Sequence, residues 1–398
     1  MRNRIALITK DATGKFYLPV YGNKYWKTPN IDELAEKGTV FQRHYTAAPS
    51  SAMSYTSMFT GLYPFETQRK DYRVVSGENL GDTLFDKASK MGYSCHVIWD
   101  KVWDSTSKIH SECYSGASIH SIEDFQQKVG AHFPHSGELI PDSRKSERSI
   151  AMLMNIIEEI CSKNERVFVW VHFPHVINGR TCYGGDIDLW DKAIGMLRSY
   201  FPDDGIYISA DHGNMNGEKG KICYGFDVNE PASAIPFISP RIDNLSEVTF
   251  PTCHIDLFKI IFQNTIPQNE FVYSDSAYYA QPNRKLAIIC GKYKYIFSAK
   301  DRLEELYDLD YDPHEDVNLM TDYILDTDRK LITPLKEVYF YTEWDKLDEI
   351  RKKMRNEKDR IWRNPNHFEM VEGYTMTFAK NVYKNGRRIA RLVKSKCK

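Results

Sequence analysis

The stretch TAAPSSAMSYTSMFTGLYP at residues 46–64 predicts a buried helix with a serine in its first turn. Pro49 keeps the residue before it extended, so the helix begins after it. Ser50 and Ser51 then stand where an N-cap belongs, and Gly61 ends the helix. A hydroxyl there faces unpaired backbone N–H groups, which bind anions and stabilise an alkoxide. From these residues alone, a capping serine on a core helix is favoured over a nucleophile.

Two apolar runs of buried-strand type end in metal-ligand residues. They are RIALIT at 4–9, followed closely by Asp11, and GIYISA at 205–210, followed by Asp211 and His212. In open α/β sheets, ligands gather at the carboxyl ends of strands. Carboxylate and imidazole groups are ligands that Zn²⁺ or Mn²⁺ accepts. A single Asp after a strand is also typical of a loop or cap, so neither run is decisive alone.

Composition limits the size of the core and the kinds of partner that the protein could bind. The chain has 398 residues, is 42% hydrophobic and has a net charge of −1, so it can bury a large core. Residues 351–398 carry 15 Lys and Arg against 4 Asp and Glu. Such a basic tail is either a solvated helix face or a contact for an anionic glycan or lipid surface; nucleic acid is the least supported partner, because no nucleic-acid fold signature accompanies the charge.

Cellular location is predicted from the cysteines and the N-terminus. The eight cysteines are scattered and form no CxxC pair, which favours reduced thiols. The N-terminus enters a strand-like run almost at once, and no apolar run reaches the roughly 18 residues of a transmembrane helix. We therefore expect a cytoplasmic protein without a transmembrane segment, although a processed form would look the same.

The helix stretch resembles the nucleophile signature of the sulfatase branch of the alkaline phosphatase superfamily. That signature is approximately T-x-A-P-x-(C/S/T)-x-P-S-R, followed after four residues by T-G-x-x-P. Its register places Ser51 at the nucleophile position. Met53 replaces the proline and Tyr55 the arginine, two residues that help direct conversion of the nucleophile to formylglycine in sulfatases. The resemblance therefore implies that Ser51 acts as an unmodified serine.

Further blocks in the family's order extend the resemblance over about residues 4–320. They are TPNIDELAEKGTVFQRHY at 28–45, with Asn30 and Glu33 in capping-box spacing; HFPH at 172–175; DHG at 211–213; and LEELYDLDYDPHEDVNL at 303–319. The order of the blocks, more than any one of them, supports the fold. We expect an α/β fold with an alkaline-phosphatase-like, mostly parallel central sheet flanked by helices, and a smaller C-terminal antiparallel α+β subdomain.

The pattern along the chain also predicts domain limits. We predict a catalytic domain at 1–268, a small subdomain at 269–345 and a basic helical extension at 346–398. Residues 104–145 have little pattern and are interpreted as an insertion near the site, and 325–361 as helical and charged.

The resemblance implies one divalent metal ion, Mn²⁺, Zn²⁺ or Ca²⁺. Its expected ligands are Asp11, Ser51, Asp211 and His212; Lys10 occupies the first of the two acidic positions that the family usually has after strand one. Candidate substrate contacts are Lys101, His175, Lys219 and Lys221, with His175 also the candidate acid for the leaving group and Lys101 a candidate catalytic residue. Each of these four is equally compatible with a loop or solvated surface position.

Three functions remain open on the sequence. The first is a metal-dependent hydrolase of phosphate, phosphonate or sulfate esters that acts through a covalent Ser51 intermediate on a small-molecule or glycan anionic ester. The second is a phosphotransferase that moves phosphoethanolamine or phosphoglycerol-type groups onto a glycan. The third is a catalytically inactive binding protein of the same fold.

Overall fold

The computed structural model describes residues 2–67, 81–101, 111–122, 143–174, 185–276, 283–326 and 331–362. The strands are β1 (Arg4–Lys10), β2 (Thr39–Phe41), β3 (His44–Tyr45), β4 (Ser94–Asp100), β5 (Ala117–Ile122), β6 (Val167–Phe173), β7 (Ile206–Ala210), β8 (Met215–Asn216), β9 (Ile222–Cys223), β10 (Ala234–Ile235), β11 (Phe237–Ser239), β12 (Glu247–Val248), β13 (Thr252–Cys253), β14 (Val272–Asp275), β15 (Lys285–Cys290), β16 (Tyr293–Ser298), β17 (Glu304–Asp308), β18 (Tyr323–Asp326) and β19 (Leu331–Pro334). The α-helices are α1 (Pro29–Lys37), α2 (Ser51–Thr60), α3 (Leu84–Lys90), α4 (Ser143–Lys163), α5 (Gly185–Leu197), α6 (Glu230–Ser233), α7 (Leu257–Gln263), α8 (Leu335–Val338) and α9 (Trp344–Ile361).

An eight-stranded sheet in the order β12-β2-β11-β7-β1-β6-β4-β5 forms the centre of the molecule. Its strands pair in parallel except at β11, which runs antiparallel to both β2 and β7. The predicted α/β fold with a mostly parallel central sheet is confirmed. The carboxyl ends of β1 and β7, which are neighbours, bring the residues that follow them to one edge of the sheet.

Both faces of this sheet are buried, which explains the uninterrupted apolar runs in its strands. Along β1, Ala6 and Ile8 pack in one hydrophobic cluster with residues of α1, α4 and α5. Ile5 and Leu7 pack in a second cluster, on the opposite face, with residues of α2, α3 and α7. The alternation follows from the two-residue period of a strand.

A four-stranded antiparallel sheet, in the order β14-β15-β16-β17, forms the expected smaller C-terminal unit. Its core includes Leu347 and Met354, so α9 packs on this sheet. The prediction of helix throughout 325–361 is wrong at its start, where β18 and β19 form a hairpin. The residues Tyr-Ile-Leu at 323–325 and Leu-Ile-Thr at 331–333 favour strands, but the surrounding charged residues obscured that signal.

Two local expectations also need correction. Helix α1 begins at Pro29 with Thr28 at its N-cap, and Asn30 hydrogen-bonds Asp191 of α5 instead of forming a capping box. Within 104–145, residues Ala117–Ile122 are the edge strand of the main sheet and not part of an insertion. Among the described helices, none combines the length and apolar character that crossing a bilayer requires.

Candidate active site

Ser51 is the first residue of α2, as the sequence predicted, and Ser50 is the N-cap. Ser51 is 6% exposed, and all ten residues of α2 are buried. One turn later, Ser54 Oγ donates to the carbonyl of Asp211 at 2.7 Å and lies 3.2 Å from His254 Nδ1. The helix that carries Ser51 is therefore fastened directly to the loop after β7.

Asp11, Asp211 and His212 form a buried cluster beside Ser51. One ligand atom from each of the three lies within 4.8 Å of the others. The His212 Nε2 atom lies 3.7 Å from Asp11 Oδ1, 3.4 Å from Asp211 Oδ2 and 3.1 Å from Ser51 Oγ. The structure thus brings together all four residues that the sequence predicted as metal ligands, from the ends of β1 and β7 and the start of α2.

The orientation of the His212 ring is set by its other nitrogen. His212 Nδ1 lies 2.7 Å from the carbonyl oxygen of Gly213, which can only accept, so Nδ1 carries the proton and donates. In neutral imidazole, Nε2 then has a lone pair directed at the two carboxylates and Ser51. This arrangement is the usual one for a metal-binding histidine. The Tyr224 ring packs against the imidazole, with 4.6 Å between ring centroids.

The two carboxylate oxygens of Asp211 differ in their hydrogen bonds among the described residues. Its Oδ1 accepts from the backbone N–H groups of Ala12, at 2.9 Å, and His212, at 2.8 Å. Its buried Oδ2 has no hydrogen-bond partner among the described residues. The pKa of Asp211 is raised to about 6, chiefly by burial; His212 opposes the shift, and the nearby Asp11 adds to it.

The arrangement fits a divalent cation. The two buried carboxylates repel each other and are removed from water, which is unfavourable. A cation would interact with the Asp211 oxygen that has no hydrogen bond among the described residues and would offset the cost of burying both negative charges. Oxygen and nitrogen ligands suit Zn²⁺, Mn²⁺ and Ca²⁺ to different degrees, so the donor set does not select the metal.

A second buried network lies behind Ser51 and was missed by the sequence analysis. Tyr55, which stands at the arginine position of the sulfatase signature, has its hydroxyl 2.7 Å from His172 Nε2. His172 Nδ1 is 2.8 Å from Thr9 Oγ1, which also accepts from Trp170 Nε1 at 2.9 Å. Burial raises the pKa of the Tyr55 phenol well above its usual range. The available signal was the register of two adjacent strand ends, Thr9 opposite His172.

Two of the four predicted substrate contacts have partners elsewhere in the protein. Lys219 Nζ bonds the carbonyl of Glu315, and Lys221 Nζ bonds Asp227. Lys101 follows β4 and is exposed, and His175 lies outside the described residues. Their roles toward a substrate stay predictions.

Comparison with known proteins gives the family. The sequence model of the family described as Sulfatase matches residues 3–262. An arylsulfatase of Clostridium perfringens is 35% identical over 98 residues, which are 25% of this chain and 20% of that protein. A steryl-sulfatase of Rattus norvegicus is 30% identical over 129 residues, which are 32% of this chain and 22% of that protein. The chain thus covers about a fifth of the length of these relatives.

Solved structures agree in fold. A 2-O GAG sulfatase has a TM-score of 0.64 at 16% identity, covering 92% of this chain and 96% of its own. A phosphonate monoester hydrolase of Agrobacterium radiobacter has a TM-score of 0.64 at 15% identity, covering 90% and 96%. A protein in complex with its substrate D-glucosamine-2-N,6-O-disulfate has a TM-score of 0.61 at 14% identity, covering 92% and 99%. These identities carry the fold alone. With the family model matching well over half of its length, the chain belongs to the sulfatase family, whose members generally use a divalent metal ion.

Proposed function

We propose that the protein is a metal-dependent hydrolase of sulfate, phosphonate or phosphate esters that uses Ser51 as its nucleophile. The observation that carries the proposal is the 3.1 Å contact between Ser51 Oγ and His212 Nε2 inside the buried Asp11, Asp211 and His212 cluster. Family membership and the relatives, which include arylsulfatases and phosphonate monoester hydrolases, support the same reaction class.

The residues divide the work of ester cleavage. A divalent metal ion held by Asp11, Asp211, His212 and Ser51 would supply positive charge that favours ionised serine and the charge on the ester oxygens. Ser51 Oγ, at the start of α2, attacks sulfur or phosphorus in line with the leaving oxygen. The N-terminal end of a helix carries partial positive charge, so the start of α2 would favour the negative charge that develops on the ester oxygens. The product of this half-reaction is a covalent Ser51 ester, which water then cleaves.

The leaving group needs a proton and the transferred group needs counter-charge. His175 is our candidate for the acid. Lys101, Lys219 and Lys221 are candidates for contact with the anionic ester. For Lys219 and Lys221 this role would require exchange of their present partners, Glu315 and Asp227.

Ser51 is proposed to act without conversion to formylglycine. Met53 and Tyr55 replace the proline and arginine of the sulfatase signature. Both replacements are buried, and Tyr55 is bonded within the protein to His172. The two positions are therefore part of the packed core.

Turnover of four chromogenic esters tests the proposal. The metal-free protein is reloaded with Mn²⁺, Zn²⁺ or Ca²⁺ and given a phosphate monoester, a phosphate diester, a phosphonate monoester and a sulfate. We expect metal-dependent turnover of at least one ester, reduced by about a thousand-fold or more in Ser51→Ala.

Ser50→Ala is the matched control. Ser50 is equally buried and adjacent, but its hydroxyl makes no hydrogen bond among the described residues, so its loss should leave turnover within a few fold. Stoichiometric metal binding with no turnover of any ester would refute simple hydrolysis and favour transfer to an acceptor. Absence of metal binding would favour the inactive binding protein.

A further inference from the structure

The C-terminal signature around residues 303–319 contributes two fully buried carboxylates, those of Asp308 and Glu315, and only Glu315 contacts α6 among the described residues. Glu315 has a φ of 58°, in the left-handed region that residues other than glycine rarely adopt. Such a conformation persists only where the surroundings hold it, and it often marks a functional constraint. The contacts of this side chain therefore indicate what the signature does.

Glu315 holds the start of the short helix α6. Its Oε2 accepts from Asn229 Nδ2 and from the backbone N–H of Glu230, both at 2.8 Å. Lys294 Nζ lies 3.0 Å from Glu315 Oε1 and 2.9 Å from Glu230 Oε1, so one buried ammonium lies between the two carboxylates. Lys294 belongs to the C-terminal sheet, and the group thus joins that sheet to α6.

Helix α6 in turn holds the loop that carries His212. The carbonyl of Ala232 accepts from the N–H of Gly213, and that of Pro231 from the N–H of Asn214, both at 2.9 Å. The Gly213 carbonyl is the group that accepts the His212 Nδ1 proton. A continuous series of hydrogen bonds therefore runs from Glu315 through α6 to the imidazole.

Helix α6 packs so closely against the loops of the site that little room for a side chain is left at two glycines. A Cβ atom built on Gly213 would lie 2.0 Å from the Pro231 oxygen, and one on Gly14, three residues after Asp11, would lie 3.1 Å from the same oxygen. Packed interiors resist compression, so a shift of α6 moves the backbone on both sides of the cluster.

We propose that Glu315 is a positioning residue for the candidate metal site. By fixing α6, it sets the position of the Gly213 carbonyl and thereby the direction in which His212 Nε2 points. The inference rests on the proposed function in one respect, the metal site itself. The proposal gives the C-terminal signature a role in positioning His212, which the sequence alone did not indicate.

The test compares Glu315→Gln with Glu357→Gln. Both remove a buried carboxylate from the C-terminal half, but Glu357 accepts from Tyr273 and Arg360 and has no described contact with α6. Mn²⁺ affinity is measured by titration with electron paramagnetic resonance, and the unfolding free energy of each metal-free protein by urea denaturation. We expect Glu315→Gln to weaken Mn²⁺ binding at least tenfold and to change the spectrum of bound Mn²⁺, whereas Glu357→Gln leaves both unchanged.

A second measurement needs no metal. Imidazole ¹⁵N resonances of the metal-free protein, assigned with a His212→Gln variant, report whether Nδ1 carries the proton. Glu315→Gln is expected to shift the His212 signals and Glu357→Gln is not. If wild-type protein binds none of Mn²⁺, Zn²⁺ and Ca²⁺ while this shift is present, the proposed function fails and the positioning role of Glu315 toward His212 stands.

The positioning role is overturned if Glu315→Gln leaves both the Mn²⁺ affinity, within twofold, and the His212 resonances unchanged. Should Glu315→Gln fail to fold, Asn229→Ala decides, because it removes one hydrogen bond of the same series and leaves the carboxylate paired with Lys294. A shifted His212 signal in Asn229→Ala supports the role, and an unshifted signal refutes it.

Discussion

Replacement of Gly213 by alanine tests the close packing of α6 on the His212 loop. The added Cβ would lie 2.0 Å from the Pro231 oxygen, 3.0 Å from its carbonyl carbon and 3.2 Å from the carbonyl carbon of Ala232. Real Cβ atoms do not approach backbone so closely, so α6 and the loop must separate. Gly213 does not have a positive φ, and the cost is therefore steric and not conformational.

The expected cost follows from two terms. Overpacking of a rigid interior costs about 1–3 kcal/mol. Separation also weakens the bonds from Gly213 and Asn214 to the α6 carbonyls, each worth about 1 kcal/mol. We therefore expect Gly213→Ala to lower the unfolding free energy by about 3–5 kcal/mol, from the sum of these terms.

Gly14→Ala is the matched control, since its Cβ faces the same Pro231 oxygen at 3.1 Å and it also lacks a positive φ. A shift of a few tenths of an ångström accommodates it, so its cost should stay below about 1 kcal/mol. Both variants are measured by urea denaturation followed by tryptophan fluorescence, with Mn²⁺ titration of the folded protein. A Gly213→Ala protein as stable as wild type, or less affected than Gly14→Ala, would refute the packing described here.

Three further changes probe buried polar groups. Lys294→Met removes the ammonium that lies between the Glu315 and Glu230 carboxylates, although Lys15 Nζ still lies 3.8 Å from Glu230 Oε2. We expect urea denaturation to report a loss of about 3–5 kcal/mol, and a loss below about 1 kcal/mol would contradict this. Tyr55→Phe removes the hydrogen bond to His172 Nε2 and should lower the unfolding free energy by about 1–2 kcal/mol in the same assay. An unchanged unfolding free energy would show that this hydrogen bond does not stabilise the protein. Burial, together with the nearby His120, lowers the pKa of His96 to about 4. The stability that neutral His96 provides is therefore present above about pH 6.5 and is lost as the pH falls toward 4. We expect His96→Asn to reduce the fall of the unfolding free energy between these pH values, and the same dependence on pH as in the wild type would exclude His96 as a contributor.

The sequence predicted the parts of the site that follow from local pattern. Asp11 and Asp211 each follow an apolar strand closely, and Ser51 begins a helix. Strand ends and helix starts are recognisable from short stretches, and neighbouring parallel strands bring their carboxyl ends to one edge. The convergence of these residues with His212 could therefore be expected before any distance was known.

What the sequence did not reveal depends on contacts between distant segments. Nothing near Glu315 in the sequence indicates that its carboxylate reaches Asn229, because that pairing arises from the docking of the C-terminal sheet. The partnership of Tyr55 with His172 is likewise a matter of strand register and of the face that α2 presents. The HFPH string pointed to His175, while the described network uses His172 at its start.

Local misassignments have a different cause. Charged residues dominate the composition around β18 and β19 and favour a helix there, although the two strands pair with each other. The edge strand β5 is partly or fully exposed at every position before Ile122, so it lacks the continuous apolar character of the central strands. Asn30 was assigned to a capping box, but Asp191 from another helix bonds the start of α1 instead.

The most direct test of the account is peptide mass spectrometry of the region around Ser51, before and after reaction of the metal-loaded protein with a slowly cleaved ester. We expect an unmodified serine at rest and, after rapid acid quench, one sulfuryl or phosphoryl group on Ser51 that is absent without metal and absent in Ser51→Ala. Ser50→Ala should still acquire the group on Ser51. Turnover with no adduct on Ser51, an adduct on another residue, or an aldehyde at position 51 in the resting protein would contradict an unmodified serine nucleophile.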